Sequence, residues 1–312
     1  MINFYKTING YICQTPVYEA NCWVNVIDPT DEEISELQEK FNVDYDYIRS
    51  SLDEEESSHI ETENDTTFLI FDAPCVEKEN DNLIYNAMPI GVVISPESII
   101  TISGKDNPVL MDFSQGVVKN IQTAHKSRFV LTMLFRMATR FLQYLKQIER
   151  YSGNLESKLR KSMKNKELMQ LLDLKKSLVY FQTALKANQT TIQKITRGKF
   201  LKLYDEDEDL LDDVNVEMSQ AIEMANIYAS VLSGTMDTFA SLISNNLNTV
   251  MKVLTSITIL MAIPTMVFSF YGMNTGVNSG GLPLADWWLW PTVMAVAVTL
   301  IVGIILYKKD MF

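Results

Sequence analysis

The chain has 312 residues, 47% of them hydrophobic and 21% charged, so it is not a disordered protein and is long enough for about two domains. Its net charge of −12, from 27 basic and 39 acidic residues, argues against a nucleic-acid partner and makes cations the natural ligands. The three cysteines are far apart, and no HExxH, GxGxxG or P-loop motif occurs. We therefore expect no disulfide framework, no enzyme, no catalytic residue and no cofactor.

Residues 1–120 are predicted to form a cytoplasmic α+β domain. Thr30 and Glu33 have the spacing of a capping box, which predicts a helix that ends near Phe41. Runs of β-branched and aromatic residues predict strands over 22–27, 68–71, 90–94 and 99–102.

A long helical pattern follows, from about Phe113 to Arg197, with a break near Lys164 and Asn165. Residues 121–204 are therefore expected to form a hairpin of two helices, rich in lysine and arginine. In a protein of negative net charge, these bases are expected to lie against acidic elements and neutralise them.

Residues 205–252 are predicted to form a cytoplasmic stalk helix. Apolar or small residues recur there every three or four positions, which is the period of an amphipathic helix. Residues 203–251 contain ten acidic residues and no Lys or Arg. The pattern continues without a break into an uncharged stretch, so the stalk is expected to lead directly into a membrane.

Two stretches near the C-terminus, 253–271 and 287–307, carry no charge and are long enough to cross a hydrocarbon core about 30 Å thick. Lysines stand before the first and after the second, and the segment between them has none, so both termini are expected in the cytoplasm of a cell-membrane protein. The predicted parts are a first span over 253–274, an external loop over 275–286, a second span over 287–307 and a basic tail over 308–312.

A polar stripe runs along the stalk helix and continues into the first span. Most of its members carry a hydroxyl or amide group, and they are Asp237, Ser241, Ser244, Asn248, Met251, Thr255, Thr258, Ala262, Thr265 and Ser269. Small hydroxyl residues suit close packing of membrane helices. They equally suit a ring of helices that lines a water-filled path, where Met251 and the neighbouring Leu254 would form an apolar constriction.

The first span ends in Gly272, Met273 and Asn274. This motif, at the end of the first of two terminal spans and after a long acidic helix, resembles the CorA family of magnesium channels, most strongly over residues 205–312. The resemblance implies a homopentameric funnel in the membrane, with an α+β cytoplasmic domain, long helices and two C-terminal transmembrane helices. It also implies that the stripe and Leu254 line the pore and that the motif forms its outer mouth.

Several roles follow from the resemblance residue by residue. Asn274 would offer amide oxygens to the waters of hydrated Mg²⁺, an ion that dehydrates reluctantly. Asn248 matches the inner mouth of the pore, and the segment from Met251 to Thr255 matches the gate. Asp237 matches an acidic position that faces the inner pore.

Family members also sense cytoplasmic Mg²⁺ at carboxylates between subunits, and Asp213 matches one partner by its place on the stalk. The other partner is expected in the N-terminal domain, where Ser50 stands at the closest position and Asp53 and Glu54 follow. The same acidic run would also suit the solvated start of a helix.

The sequence thus predicts a channel that conducts Mg²⁺, with Co²⁺ or Ni²⁺ as further substrates, down the electrochemical gradient and under the control of cytoplasmic Mg²⁺. A zinc transporter of the ZntB kind, coupled to protons, is the alternative within the same superfamily. From another class, a membrane-anchored domain without transport would explain the two spans but not the polar stripe.

Overall fold

The computed structural model describes residues 1–63, 65–79, 82–162, 165–198, 200–272 and 289–311. These residues divide into two compact units, Met1–Thr235 and Met236–Phe312. The strands are β1 (Ile2–Ile8), β2 (Tyr11–Thr15), β3 (Trp23–Ile27), β4 (His59–Glu63), β5 (Thr66–Glu79), β6 (Asn82–Ile94) and β7 (Ile99–Ser103). The helices are α1 (Asp31–Phe41), α2 (Tyr45–Leu52), α3 (Pro108–Ser114), α4 (Lys126–Ser162), α5 (Asn165–Arg197), α6 (Asp205–Tyr271) and α7 (Leu289–Lys308).

The first unit is built on one seven-stranded sheet with the order β2-β1-β3-β7-β6-β5-β4. β3 and β7 pair in parallel, with Trp23 opposite Ile99, and the other neighbours pair antiparallel. All four predicted strands are present, while β1, β2 and β4 were not predicted. β2 and β4 are the edge strands, and their mostly exposed residues mix polar and apolar types, which gives a weak alternation signal.

A capping box at the start of α1 confirms the predicted helix. The Thr30 hydroxyl accepts the Glu33 backbone N–H, and the Glu33 carboxylate accepts the Thr30 N–H. Asn42 then ends the helix in the left-handed conformation, with φ of 53°. α2 ends at Leu52 and Asp53 is its C-cap, so the acidic run follows a helix. The interpretation of that run as a helix start is therefore wrong.

A hydrophobic core lies between one face of the sheet and the helices α1 and α2. Its fully buried members include Val24, Val26, Leu37, Ile48, Ile70 and Ile102. Trp23 precedes Val24 on β3, so its side chain points to the other face of the sheet. There it packs against Phe113 and Phe129, with ring centroids 6.2 and 5.5 Å away. Its indole N–H donates to the Thr101 hydroxyl at 2.8 Å, which satisfies the polar end of the buried ring.

The predicted helical hairpin is formed by α4 and α5, but it begins later than expected. The segment around Phe113 belongs to the short helix α3, and Gly116 and Asn120 then adopt positive φ angles of 68° and 60°. Such angles interrupt a helix, so α4 starts only at Lys126. The two long helices pack through apolar side chains, with Phe141 and Phe181 edge to face at 5.0 Å.

α5 also covers the side of β5 that β4 leaves open. The Asn188 side chain, which is fully buried, accepts the Asp72 backbone N–H at 2.9 Å and donates to the Asp72 carbonyl at 2.8 Å. The amide thus takes the place of a neighbouring strand. This contact joins residues that are 116 positions apart in the sequence.

Because the carboxyl of Asp72 is largely buried, we expect the free energy of unfolding of the protein to depend on pH. Burial raises the pKa of this carboxyl from 3.8 to about 7, so the folded protein holds a proton that the unfolded chain releases above pH 3.8. We expect stability to fall by at most about 1.4 kcal/mol per pH unit between these values and to level off above them. Asp72→Asn should remove this component. The unfolding midpoint of the variant should match that of the parent near pH 4 and exceed it at pH 8, and equal midpoints at pH 8 would contradict the assignment.

In the second unit, both C-terminal elements are helical. α6 reaches Tyr271 and α7 covers Leu289–Lys308, and both are long and apolar enough to cross a membrane. The predicted spans are thus matched by helices, while the predicted external loop at 275–286 lies outside the described residues. The boundary between the two units falls within α6.

Candidate pore helix and cation-binding carboxylates

α7 covers one face of α6 in the second unit. Ser256 is fully buried there, and a Cβ atom added at Gly303 of α7 would lie 3.6 Å from Leu260 Cδ2. Tyr271 contacts Met294 of α7, with 3.9 Å between Oη and Sδ. At 100° per residue, these three α6 positions point about 160° away from the mean direction of the predicted stripe. The stripe therefore lies on the face of α6 opposite α7.

Every predicted pore-lining position is exposed in the single chain. These positions are Asp237, Ser241, Ser244, Asn248, Met251, Leu254, Thr255, Thr258, Ala262, Thr265 and Ser269. A row of polar side chains in a membrane span is costly when it faces lipid and is expected to face protein or water instead. The structure thus leaves the stripe available for either of the two roles considered from the sequence.

Several stripe hydroxyls donate to the backbone of their own helix. The Thr255 hydroxyl donates to the Met251 carbonyl at 2.7 Å, and that of Thr258 donates to the Leu254 carbonyl at 2.8 Å. Thr265 bonds to the Ala262 carbonyl at 2.8 Å in the same way. Each hydroxyl proton is then occupied, and the side chain offers its oxygen as a hydrogen-bond acceptor. Acceptors suit the water shell of a cation, whose hydrogens point outward.

Two large apolar side chains interrupt this polar face. Met251 is 53% exposed and Leu254 is 57% exposed, and they lie about one helical turn apart. Lys252 follows Met251 in the chain and is also exposed. A ring of such apolar side chains around a narrow path is the kind of constriction that closes by excluding water.

Gly272 follows the last residue of α6 and is the part of the predicted outer-mouth motif that the structure describes. Its N–H donates to the Phe268 carbonyl at 2.9 Å, and a Cβ atom there would lie 3.1 Å from that carbonyl oxygen. A side chain at this position would require the carbonyl to move by a few tenths of an ångström. Met273 and Asn274 lie outside the described residues.

The predicted cation-sensing carboxylates are placed on separate elements of the first unit. Asp213 is exposed on α6, and Asp53 accepts the Glu55 backbone N–H at 3.0 Å as it caps α2. Glu54 is paired with Lys105, with 3.1 Å between Oε1 and Nζ. Within the part of the chain that the structure describes, no three His, Cys, Asp or Glu side chains are close enough to hold a metal ion. The described residues of a single chain therefore do not bring Asp213, Asp53 and Glu54 together into one cluster.

Sequence reasoning missed the role of Lys105. This lysine contacts both Glu54 and Glu77, at 3.1 and 3.0 Å, and the two carboxylates raise the pKa of its ammonium group. Because Lys105 lies 51 positions beyond Glu54, no local spacing pattern could reveal the pair. A cation that binds Glu54 would have to compete with this ammonium group.

A family model described as CorA-like Mg²⁺ transporter protein matches residues 18–309. The chain belongs to this family. The resemblance drawn from the Gly272–Asn274 motif and its position is thereby confirmed.

Similarity to individual proteins supports the same assignment. The cobalt/magnesium transport protein CorA of Methanocaldococcus jannaschii is 28% identical over 295 residues, which cover 90% of this chain and 89% of that protein. The complete structure of the CorA magnesium transporter from the same organism matches with a TM-score of 0.79 at 23% identity and covers 99% of this chain and 96% of that one. This likeness confirms the predicted fold of the CorA family.

The cytoplasmic domain of ZntB from Vibrio parahaemolyticus is also similar, with a TM-score of 0.57 at 12% identity, over 78% of this chain and 96% of that one. At such an identity the likeness shows a common fold alone. The family model and the CorA relative favour magnesium transport over the zinc alternative.

Proposed function

We propose that the protein is a Mg²⁺ channel of the cell membrane, which also accepts Co²⁺ or Ni²⁺ and conducts these ions down their electrochemical gradient. The observation that carries the proposal is the stripe of oxygen-bearing side chains on the face of α6 that α7 leaves uncovered. For a divalent cation, a membrane potential of 100 mV supplies about 4.6 kcal/mol, which is ample driving force without a coupled reaction.

The chemistry of the stripe suits a cation that keeps its water. Mg²⁺ holds six waters at near-ideal octahedral geometry and releases them reluctantly. Hydroxyl and amide oxygens accept hydrogen bonds from those waters, and the stripe supplies them at successive turns of one helix. In this proposal Asn274 does the same at the outer mouth, and Asn248 does so at the inner mouth.

A single helix cannot enclose a path, so the proposal requires several copies of the chain. We propose a homopentamer in which five α6 helices turn their stripes toward a common axis. The ten acidic residues at 203–251 would then repeat in every subunit, and such a ring of like charge is unfavourable unless cations occupy it. This requirement fits a protein that concentrates cations at the inner mouth.

We further propose that cytoplasmic Mg²⁺ closes the channel. The cation would bridge Asp213 of one subunit to the acidic run at Asp53 and Glu54 of its neighbour. Loss of the cation would leave these carboxylates to repel one another, which loosens the ring and shifts the population toward the open state. Mg²⁺ is then both the substrate and the regulatory ligand. The positive-inside pattern supports a cytoplasmic location for this site and for both termini.

The zinc transporter is the second candidate within this fold. Zn²⁺ binds to proteins through Cys, His and carboxylate ligands, and the eleven predicted pore-lining positions include no Cys or His. The stripe therefore favours a hard cation with oxygen partners. A membrane-anchored domain without transport is the candidate from another class.

Flux measurements in liposomes separate these functions. Purified protein is reconstituted, and Mg²⁺ and Zn²⁺ uptake is recorded with fluorescent indicators under a set membrane potential, with and without a pH gradient. Mg²⁺ uptake that follows the potential and ignores pH is the expected result. Zn²⁺ uptake that needs the pH gradient would assign the zinc transporter, and no flux of either ion would favour the anchored domain.

The proposed constriction makes a separate prediction. Leu254→Ser places a hydroxyl in the apolar ring, which favours water in the path, so leak of Mg²⁺ through channels closed by internal Mg²⁺ should rise several-fold. The measurement is uptake into liposomes that contain a Mg²⁺ concentration sufficient to silence the parent. Ile257→Ser is the matched control, because Ile257 is an exposed apolar residue of the same helix that lies off the stripe. Equal leak in both variants would refute the constriction.

A further inference from the structure

The stripe can line a path only if α6 has one particular rotation about its own axis. α7 consists almost entirely of apolar residues, and apolar contacts between helices in lipid have little directional preference. A rotation of α6 by one residue would move the stripe by about 100° and bring apolar positions into its place. Directional contacts between α6 and α7 therefore matter for conduction.

Ser256 makes such a contact. It is the one polar residue of the first span, before Tyr271, that does not belong to the stripe. Its side chain is fully buried, and its hydroxyl donates to the Met311 backbone carbonyl at 3.0 Å. Unlike the stripe threonines, whose hydroxyls bond to their own helix, Ser256 thus bonds to the segment that follows α7.

The acceptor is positioned by the way α7 ends. Asp310 adopts the left-handed conformation with φ of 51°, and the Met311 N–H donates back to the Leu306 carbonyl at 3.2 Å. This reversal is typical of a helix C-cap and turns the Met311 carbonyl toward α6. Since the carbonyl is held by the backbone, its direction depends little on which side chain stands at position 311.

A second contact lies at the other end of the span. The Tyr271 hydroxyl is 3.9 Å from the sulfur of Met294. Tyr271 follows Ser256 by 15 residues, about 22 Å along the helix, and points only about 60° away from it. The two contacts therefore hold the same side of α6 near the two ends of the span.

We propose that Ser256 is a positioning residue for ion conduction: its hydrogen bond to the Met311 carbonyl sets the rotation of α6 and keeps the polar stripe turned toward the ion path. This inference rests on the proposed channel function. The constriction residue Leu254 lies two positions before Ser256, so the bond acts close to the gate. A hydrogen bond in a membrane typically shifts such an equilibrium about threefold to tenfold.

Cysteine accessibility in the reconstituted full chain tests the rotation itself. Cys13, which is exposed, is first replaced by serine, while Cys22 and Cys75 are buried. Thr258→Cys then reports on the stripe and Ile257→Cys on the neighbouring face. The readout is the ratio of their labelling rates with a charged, water-soluble thiol reagent. The ratio is measured in the parent and with Ser256→Ala, Ser256→Thr or Thr299→Ala.

Thr299→Ala is the matched control, because the Thr299 hydroxyl bonds at 2.7 Å to the Ala295 carbonyl of its own helix. We expect the Thr258-to-Ile257 ratio to fall about threefold to tenfold with Ser256→Ala, and Mg²⁺ flux to fall with it. Ser256→Thr, which keeps the hydroxyl, and Thr299→Ala should both retain the parental ratio. A chain that ends at Asp310 lacks the Met311 carbonyl, which is the acceptor, and should lower the ratio as Ser256→Ala does. It provides the same test if the Ser256→Ala protein does not fold.

An unchanged ratio in Ser256→Ala and in the shortened chain would overturn the positioning role and leave the channel intact. An equal fall of the labelling ratio in Thr299→Ala would also overturn the positioning role, because removal of any hydroxyl in these helices would then have the same effect. A parent in which Thr258→Cys reacts no faster than Ile257→Cys would refute the water-filled path itself. That result is distinguishable from the other two, because it does not involve position 256.

Discussion

Asn274→Ala is expected to lower Mg²⁺ uptake into liposomes at least about tenfold, the equivalent of one charge-assisted hydrogen bond per ion. In the proposed pentamer, five amide oxygens at the outer mouth accept hydrogen bonds from the waters of the arriving cation. Alanine removes all five at once and leaves the hydrated ion without partners where it must leave bulk solvent. The measurement is the initial rate of indicator fluorescence at a fixed membrane potential.

Asn278→Ala is the matched control for this variant. Asn278 stands four residues further along the chain, in the predicted external loop, and carries the same side chain, but it is not part of the Gly-Met-Asn motif. Its uptake rate should stay within about twofold of the parent. If both variants conduct like the parent, the amide of Asn274 has no part in cation capture. If both lose conduction, the loss reflects the loop as a whole.

Asp213→Lys is expected to raise the internal Mg²⁺ concentration required for inhibition by about tenfold or more. In the proposed sensing site, the change would replace a carboxylate that binds the cation with an ammonium group that repels it. The maximal rate at low internal Mg²⁺ should change little. Uptake is measured into liposomes that contain a graded series of Mg²⁺ concentrations, which yields the concentration for half-closure.

Asp212→Lys makes the same change of charge one position earlier, at another exposed site on α6. It therefore controls for the general effect of two added positive charges per subunit. A shift of half-closure in Asp213→Lys alone would place Asp213 in the sensing site. Equal shifts in both variants would attribute the effect to net charge, and no shift in either would exclude Asp213 as a sensor.

Local signals in the sequence predicted local structure well. The capping box of Thr30 and Glu33 predicted α1, and unbroken apolar periodicity predicted α6 across the whole of 205–271. The strands β1, β2 and β4 were missed because their residues mix polar and apolar types without a clear alternation. The start of α4 was placed too early because the helical period begins before Gly116 and Asn120 interrupt it. These failures reflect competition between propensity and backbone geometry.

Contacts between distant residues could not be predicted in this way. The polar stripe was visible from its spacing, and the structure adds that α7 leaves it uncovered. Nothing near Ser256 in the sequence points to Met311, and nothing near Glu54 points to Lys105. The residues of the candidate cation path could thus be predicted from the sequence. The Ser256–Met311 contact, which orients the path, and the Lys105–Glu54 pair, which competes with a bound cation, depend on tertiary structure.

The amide of Asn188 has a consequence for synthesis. The open edge of β5 at Asp72 is hydrogen-bonded by a residue that is made 116 positions later. At ribosomal rates of roughly 5–20 residues per second, that interval is on the order of ten seconds. During this time β5, which pairs with β6 along one edge, presents an open stretch of its other edge to other nascent chains. This edge stays open until α5 has been made, and a pause in translation before codon 188 would prolong that period.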